Sequence, residues 1–177
     1  MKQVLILLGK ARSGKDTVAD YLVKEFGFKK FVFSSVLEEE LKKQEKEVSK
    51  KNMVLLGDEL RKEFGMDVVA KRLLKKVSDE QKIVFVGARS LEEISLIKKR
   101  FPQAKLILVE AEEKKRFKRR NELDENDLKS FSERDLVDSE KKGMNKVFGL
   151  SDFKLENNSS LSDLFAKTRG LINNIFK

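Results

Sequence analysis

The order of apolar and polar positions divides the chain into short strands alternating with longer helices. Residues 4–8 are an unbroken apolar run, the length of a strand covered on both faces, and the run stops at Gly9. Val18, Tyr21, Leu22 and Phe26 then recur at helical spacing, so a strand, a glycine-bounded loop and a helix over 17–26 are expected in that order. Residues 31–33 read as a short second strand. Residues 35–77 read as two or three helices, with breaks expected near Gly57 and at Gly65. Apolar runs at 83–86 and 105–110 flank a helix over about 91–100, and Pro102 sits in the connection, where a missing N–H does no harm. Residues 117–147 are charged and helical in pattern, and 152–155 is a short strand. Leu161, Leu164, Phe165, Leu171 and Ile175 mark a closing helix. Strands alternating with helices throughout predict an α/β fold with a parallel, doubly wound sheet.

The turn from the first strand into the first helix carries the clearest chemistry. Gly9-Lys10-Ala11-Arg12-Ser13-Gly14-Lys15-Asp16-Thr17 matches the pattern G-x-x-x-x-G-K in the strand-to-helix setting that gives it meaning. Glycines let the backbone curl until successive N–H groups face inward, the helix start adds positive potential, and Lys15 supplies a point charge for outer phosphates. Asp16 stands where Ser or Thr usually offers a hydroxyl to magnesium. A carboxylate also ligates a hard cation, and Thr17 follows with a hydroxyl, so Asp16 and Thr17 are the candidate metal residues.

Composition narrows what such a site can use. The 177 residues contain no Cys and no His, which excludes disulfides, thiolate metal sites and the commonest general base. Catalysis must rest on Lys, Arg, carboxylates or a bound cation. No apolar run approaches the roughly 20 residues of a membrane span, and the start lacks the cleavage region of a signal peptide, so a cytoplasmic protein without a membrane partner is expected. The net charge of +9 suits nucleic acid as well as small nucleotides. Much of it lies in mixed runs such as residues 38–51, which read as solvated helix faces, making nucleic acid the less favoured partner.

The loop with Asp16 after Gly14-Lys15 resembles that of phage deoxynucleoside monophosphate kinases and animal-type phosphomevalonate kinases. Nearly end to end, the chain resembles an archaeal family of kinase-like P-loop proteins related to nucleoside monophosphate kinases and dephospho-coenzyme A kinase. The resemblance rests on Gly57-Asp58-Glu59-Leu60-Arg61, Phe64-Gly65 and Val69-Ala70-Lys71-Arg72, then on Gly87-Ala88-Arg89-Ser90-Leu91-Glu92-Glu93. Arg116-Phe117 with Arg119, and Ser132-Glu133-Arg134-Asp135, complete the ordered set. It implies a three-layer P-loop NTPase fold with a five-stranded parallel sheet in a single domain. Residues 34–80 would be a helical acceptor-binding insertion, and 116–147 a lid region.

Roles follow from this resemblance together with the charge demands of phosphoryl transfer. The implied cofactors are ATP, with GTP as the alternative, and Mg²⁺. Lys15, Arg89, Arg119 and Arg134 are the expected catalytic cations. Residues 9–17, Arg116 and Asn157 are expected at the nucleotide, and Ser34, Arg61, Arg72 and Arg89 at a small phosphorylated acceptor. Arg89 also follows a buried strand at its carboxyl end, where open α/β sheets bind ligands, and a surface ion pair with Glu92 or Glu93 is the less favoured reading. Helix-face salt bridges are the competing reading of Arg61 and Arg72. Val86 stands where the family pattern has Asp, and residues 33–37 lack the acid and arginine expected near the acceptor. Transfer of a γ-phosphate to a nucleoside or deoxynucleoside monophosphate is the leading expectation. Transfer to a hydroxyl, as in dephospho-coenzyme A kinase, and a nucleotide-binding switch with little turnover are the alternatives.

Overall fold

The computed structural model describes residues 2–120, 127–141 and 143–177, with the backbone alone at 134 and 137–141. Its centre is β1 (Gln3–Leu8), whose side chains alternate between two apolar layers. Val4, Ile6 and Leu8 enter one layer, and Leu5 and Leu7 the other. With β2 (Lys29–Val32), β3 (Lys82–Val86), β4 (Lys105–Glu110) and β5 (Phe153–Glu156) it forms an all-parallel sheet in the order β2-β3-β1-β4-β5. Parallel strands need crossovers, and the helices that supply them cover both faces.

On one face, α1 (Lys15–Phe26) and α9 (Leu161–Ile175) bury Val18, Leu22, Leu164 and Ile172 against Leu5, Leu7 and Val84. The other face is covered by α2 (Phe33–Lys43), α3 (Lys50–Phe64), α4 (Val68–Leu74) and α5 (Leu91–Arg100). Beyond β4 lie α6 (Glu113–Lys118), α7 (Leu128–Lys141) and α8 (Met144–Gly149), the last adding Met144 and Val147 to that second layer. Phe85 sits at the middle of it with no exposed surface, its ring 5.8 Å from Phe31 and 6.2 Å from Phe101. In register, Leu7 of β1 and Val32 of β2 both pair with Val86, while Leu8 pairs with Leu108 of β4. The loops leaving four strands therefore open onto one edge, the usual ligand edge of such sheets.

Several boundaries differ from the sequence expectation, α1 and β2 each beginning two residues earlier. The second strand ends one residue early, because Phe33 opens α2 and drives its ring into the core, 3% exposed. Asp152 lies outside β5: it accepts the Leu106 N–H at 2.7 Å and donates its own N–H to the Leu106 carbonyl, a loop clasp on the neighbouring strand. Gly57 does not break a helix. It is buried in the interior of α3, and Gly65, at φ 95°, is where that helix ends.

Candidate functional site

The phosphate loop takes its shape from backbone rather than side chains. Gly9 at φ 150°, Arg12 at φ 60° and Gly14 at φ 101° bend it, and Ser13 donates its N–H back to the Lys10 carbonyl at 3.2 Å. The bend leaves the start of α1 without a side-chain cap, whereas α3, α5 and α9 are capped by Ser49, Ser90 and Ser160. Uncapped helix N–H groups are donors for an anion. Two distant residues hold the loop in place. Asn157, after β5, donates its Nδ2 to the Ser13 carbonyl at 2.8 Å and packs so close to Gly14 that an added Cβ would lie 2.2 Å from that nitrogen.

Arg116 is the second support. Expected at the nucleotide, it is only 3% exposed and spends its donors on protein: Nε on the Ala111 carbonyl, Nη1 on the Ala11 carbonyl inside the loop, and Nη2 on Asp135 of α7 at 2.5 Å. Its guanidinium also lies over the Phe131 ring. Arg116 thus ties loop, α6 and α7 together. Arg119 donates to the Asn157 carbonyl at 2.9 Å and leaves its buried Nη1 without a hydrogen-bond partner. The side chain of Arg134 lies outside the described residues.

A cavity of about 250 Å³ opens in front of the loop. Gly9, Lys10, Ala11, Lys15 and Asp16 of the loop line it, and Arg61 and Arg89 line it as well. Lys15 is 18% exposed, and its ammonium is 3.8 Å from Asp16, whose other oxygen is 3.7 Å from Lys30. Ser34 borders the cavity from the first turn of α2, with its hydroxyl donating to Glu38 at 3.3 Å. Val86 is a core residue, 1% exposed, whose edge reaches the cavity floor. Arg72 is not brought to this space: it pairs with Glu40 of α2 at 3.0 Å and lies 6.0 Å from the Phe64 ring, a brace between helices.

Elsewhere along the cavity lining a buried carboxylate engages both arginines. Glu93, in the first turn of α5 and wholly buried, accepts the Arg61 guanidinium on Oε1 at 3.0 Å and the Arg89 backbone N–H on Oε2 at 2.6 Å. Burial pushes its carboxyl above the ordinary range, and the charge of Arg61 pulls the other way. For Arg89, whose competing reading is a surface ion pair with Glu92 or Glu93, the contact described is between its backbone N–H and buried Glu93. Sequence reasoning also passed over Asp58, an exposed carboxylate on the cavity wall one turn before Arg61, and Lys50 at the start of α3. Their i, i+3 spacing on an amphipathic helix marked Asp58 and Arg61 as same-face neighbours. Facing Lys10 and Ser13 from the β4 side is a second cavity of about 240 Å³, lined also by Arg116 and Phe148.

A nucleotide suits the loop on three observations: Gly14 leaves no room for a side chain, the helix start is uncapped, and the Ser13 hydroxyl is buried there without a partner. Among the described residues there is no group of three or more acids that could hold a metal ion.

Fold and loop together define a P-loop kinase-like protein. The same architecture is found in shikimate kinase from Bacteroides thetaiotaomicron, at a TM-score of 0.64 and 14% identity over 98% of both chains. Shikimate kinase from Acinetobacter baumannii in complex with shikimate gives 0.63 at 16% identity, over all of this chain and 97% of the other. The chain belongs to the AAA domain family, whose profile it matches over residues 8–136, and to the UPF0200 family of archaeal proteins. A UPF0200 protein of Thermococcus kodakarensis is 30% identical over 97% of each chain, and one of Hyperthermus butylicus is 29% identical over 97% of this chain and 94% of its own. No helix among the described residues is long and apolar enough to cross a membrane.

Proposed function

We propose that the protein transfers the γ-phosphate of ATP to a nucleoside or deoxynucleoside monophosphate. The observation that carries this reading is that one cavity is lined both by Lys15 and the phosphate loop and by Arg61 and Arg89. Cations from the loop and from two further segments around one space suit two phosphorylated ligands meeting there. Lys15 neutralises charge on the moving phosphoryl group, and the loop N–H groups orient the nucleotide phosphates. Arg61 and Arg89 hold the acceptor phosphate, while Phe33 and Val86 keep water from one side of the reacting atoms. An ionised phosphate acceptor needs no general base, which is consistent with an apolar residue at Val86. Asp16 and Thr17 would hold magnesium together with the nucleotide, and the ion would add charge neutralisation at the outer phosphates. A cytoplasmic setting, where ATP and monophosphates are abundant, follows from the reading.

Asp58 favours a second reading. A carboxylate on the cavity wall is the base that a hydroxyl acceptor would want. Incubation with Mg-ATP and a panel of ribo- and deoxyribonucleoside monophosphates, alongside phosphate-free and hydroxyl acceptors, separates the two. Diphosphate formation that survives Asp58→Asn supports the first. Product only from hydroxyl acceptors, lost in Asp58→Asn, supports the second. ADP release with no acceptor dependence leaves neither standing and favours a nucleotide-binding switch.

A further inference from the structure

Gly57 and Glu93 are 36 positions apart, yet both bear on one side chain. Arg61 lies one turn beyond Gly57 on α3, and its Nη1 rests over the glycine, 2.9 Å from where a Cβ would stand. Its Nη2 is held by Glu93 at 3.0 Å, and its Nε is buried with no hydrogen-bond partner. The same carboxylate takes the backbone N–H of Arg89 at 2.6 Å, so one buried group holds the Arg61 guanidinium and the Arg89 backbone, both residues lining the cavity. Glu93 is itself fixed, since its own N–H is donated to the Ser90 hydroxyl that caps α5.

We propose that Glu93 and Gly57 are positioning residues for an anion-binding part of the cavity that takes the phosphate of a phosphomonoester: Glu93 clamps the Arg61 guanidinium and the Arg89 backbone, and Gly57 leaves the space in which that guanidinium lies. The assignment rests on the acceptor reading given above. The helix itself argues for it. Glycine inside a helix lowers stability relative to alanine, so a buried glycine in mid-helix needs a reason. The neighbours supply one. A methyl at Gly57 meets the flexible far end of Arg61 and only ordinary contact distance from Leu37, 3.4 Å, so the fold can absorb it while the guanidinium cannot stay. Glutamine at Glu93 keeps the shape but turns an NH₂ toward one of two donors, Arg61 Nη2 or Arg89 N, and so releases one of them.

The test uses the full chain, labelled with ¹⁵N at arginine, with the loop saturated by ADP so that it does not compete for the probe. Inorganic phosphate is the probe, and Arg61→Lys assigns the Nε–H resonance. In the unsubstituted protein phosphate is expected to shift the Arg61 signal saturably. Gly57→Ala should stay folded yet need at least ten times more phosphate, and Glu93→Gln should show a similar loss, with ADP affinity within two-fold of the unsubstituted protein in both. A merely structural role predicts the reverse pattern: stability altered, phosphate response kept. Equal phosphate titrations in the three proteins, or an Arg61 signal that ignores phosphate altogether, overturn the assignment. Should Glu93→Gln not fold, Gly57→Ala decides alone. A silent monophosphate panel beside an intact phosphate response removes only the phosphotransfer reading.

Discussion

Two parts of the cavity lining are built from different materials. In the loop the binding groups are backbone amides, shaped by positive φ at Gly9, Arg12 and Gly14 and braced from outside by Asn157 and Arg116. Elsewhere on the lining they are the side chains of Arg61 and Arg89, and a buried carboxylate on α5 holds the Arg61 guanidinium and the Arg89 backbone. Backbone geometry tolerates almost no substitution at its glycines. A side-chain clamp can loosen by degrees.

The loop should therefore fail abruptly. Gly14→Ala places a methyl 2.2 Å from the Asn157 Nδ2 at a φ that L-residues rarely adopt, and we expect nucleotide affinity to fall by more than about a hundred-fold, read by titration with a fluorescent nucleotide. Lys15→Met should spare more of the binding and lower the transfer rate by about 10²–10³-fold, as loss of a charge aimed at a developing transition state does. A Gly14→Ala protein that binds nucleotide normally would mean that the loop is not braced by Asn157 as described.

The braces come next. Arg116→Ala leaves Asp135 buried without its partner, a loss of about 3–5 kcal/mol in chemical denaturation, and it frees the Ala11 carbonyl within the loop. The double variant with Asp135→Ala should lose less than the sum of the two single changes. Asn157→Ala removes a single buried hydrogen bond, about 1–3 kcal/mol, and it also clears the space against Gly14. Asn157→Ala should thus recover part of the affinity lost in Gly14→Ala; additive losses would show that backbone strain alone, not the contact, disables the loop.

This contrast also explains what could be read from the chain. Gly9, Gly14 and Lys15 carry their meaning locally, because loop, strand and helix are consecutive, and the five strands follow from apolar runs that parallel sheets require. Arg61 and Glu93 are 32 residues apart, and nothing in either neighbourhood says that they meet. Arg116 was legible as important but not as a clasp, since its partners lie in the phosphate loop, in the turn before α6 and in α7. Gly57 misled for the same reason: helix-breaking is glycine's local meaning, and only the position of Arg61 reveals that the missing Cβ is space. Arg72 belongs with these, its charge absorbed by Glu40 across two helices.

The smallest expected effect tests the clamp itself. Burial raises the Glu93 carboxyl above its ordinary value of 4.5, the Arg61 charge and the Arg89 N–H opposing it, and Ser90 completes the polar groups around it. An acid whose folded value exceeds its unfolded one holds more protons folded than unfolded between the two, so its contribution favours the native state below that window and declines as pH rises through it. The slope from this one group is bounded at about 1.4 kcal/mol per pH unit. Glu93→Gln cannot titrate and should lack the decline. Denaturation of both proteins at a series of pH values from 4 upward should show the advantage of the unsubstituted chain shrinking with pH, whereas the stability change in Asn157→Ala, which alters neutral groups, should stay constant over the same range. A flat difference for Glu93→Gln would mean that Arg61 and the Arg89 amide outweigh burial. The arginines of the cavity would then be held by a carboxylate ionised throughout, as rigid in charge as the loop is in backbone.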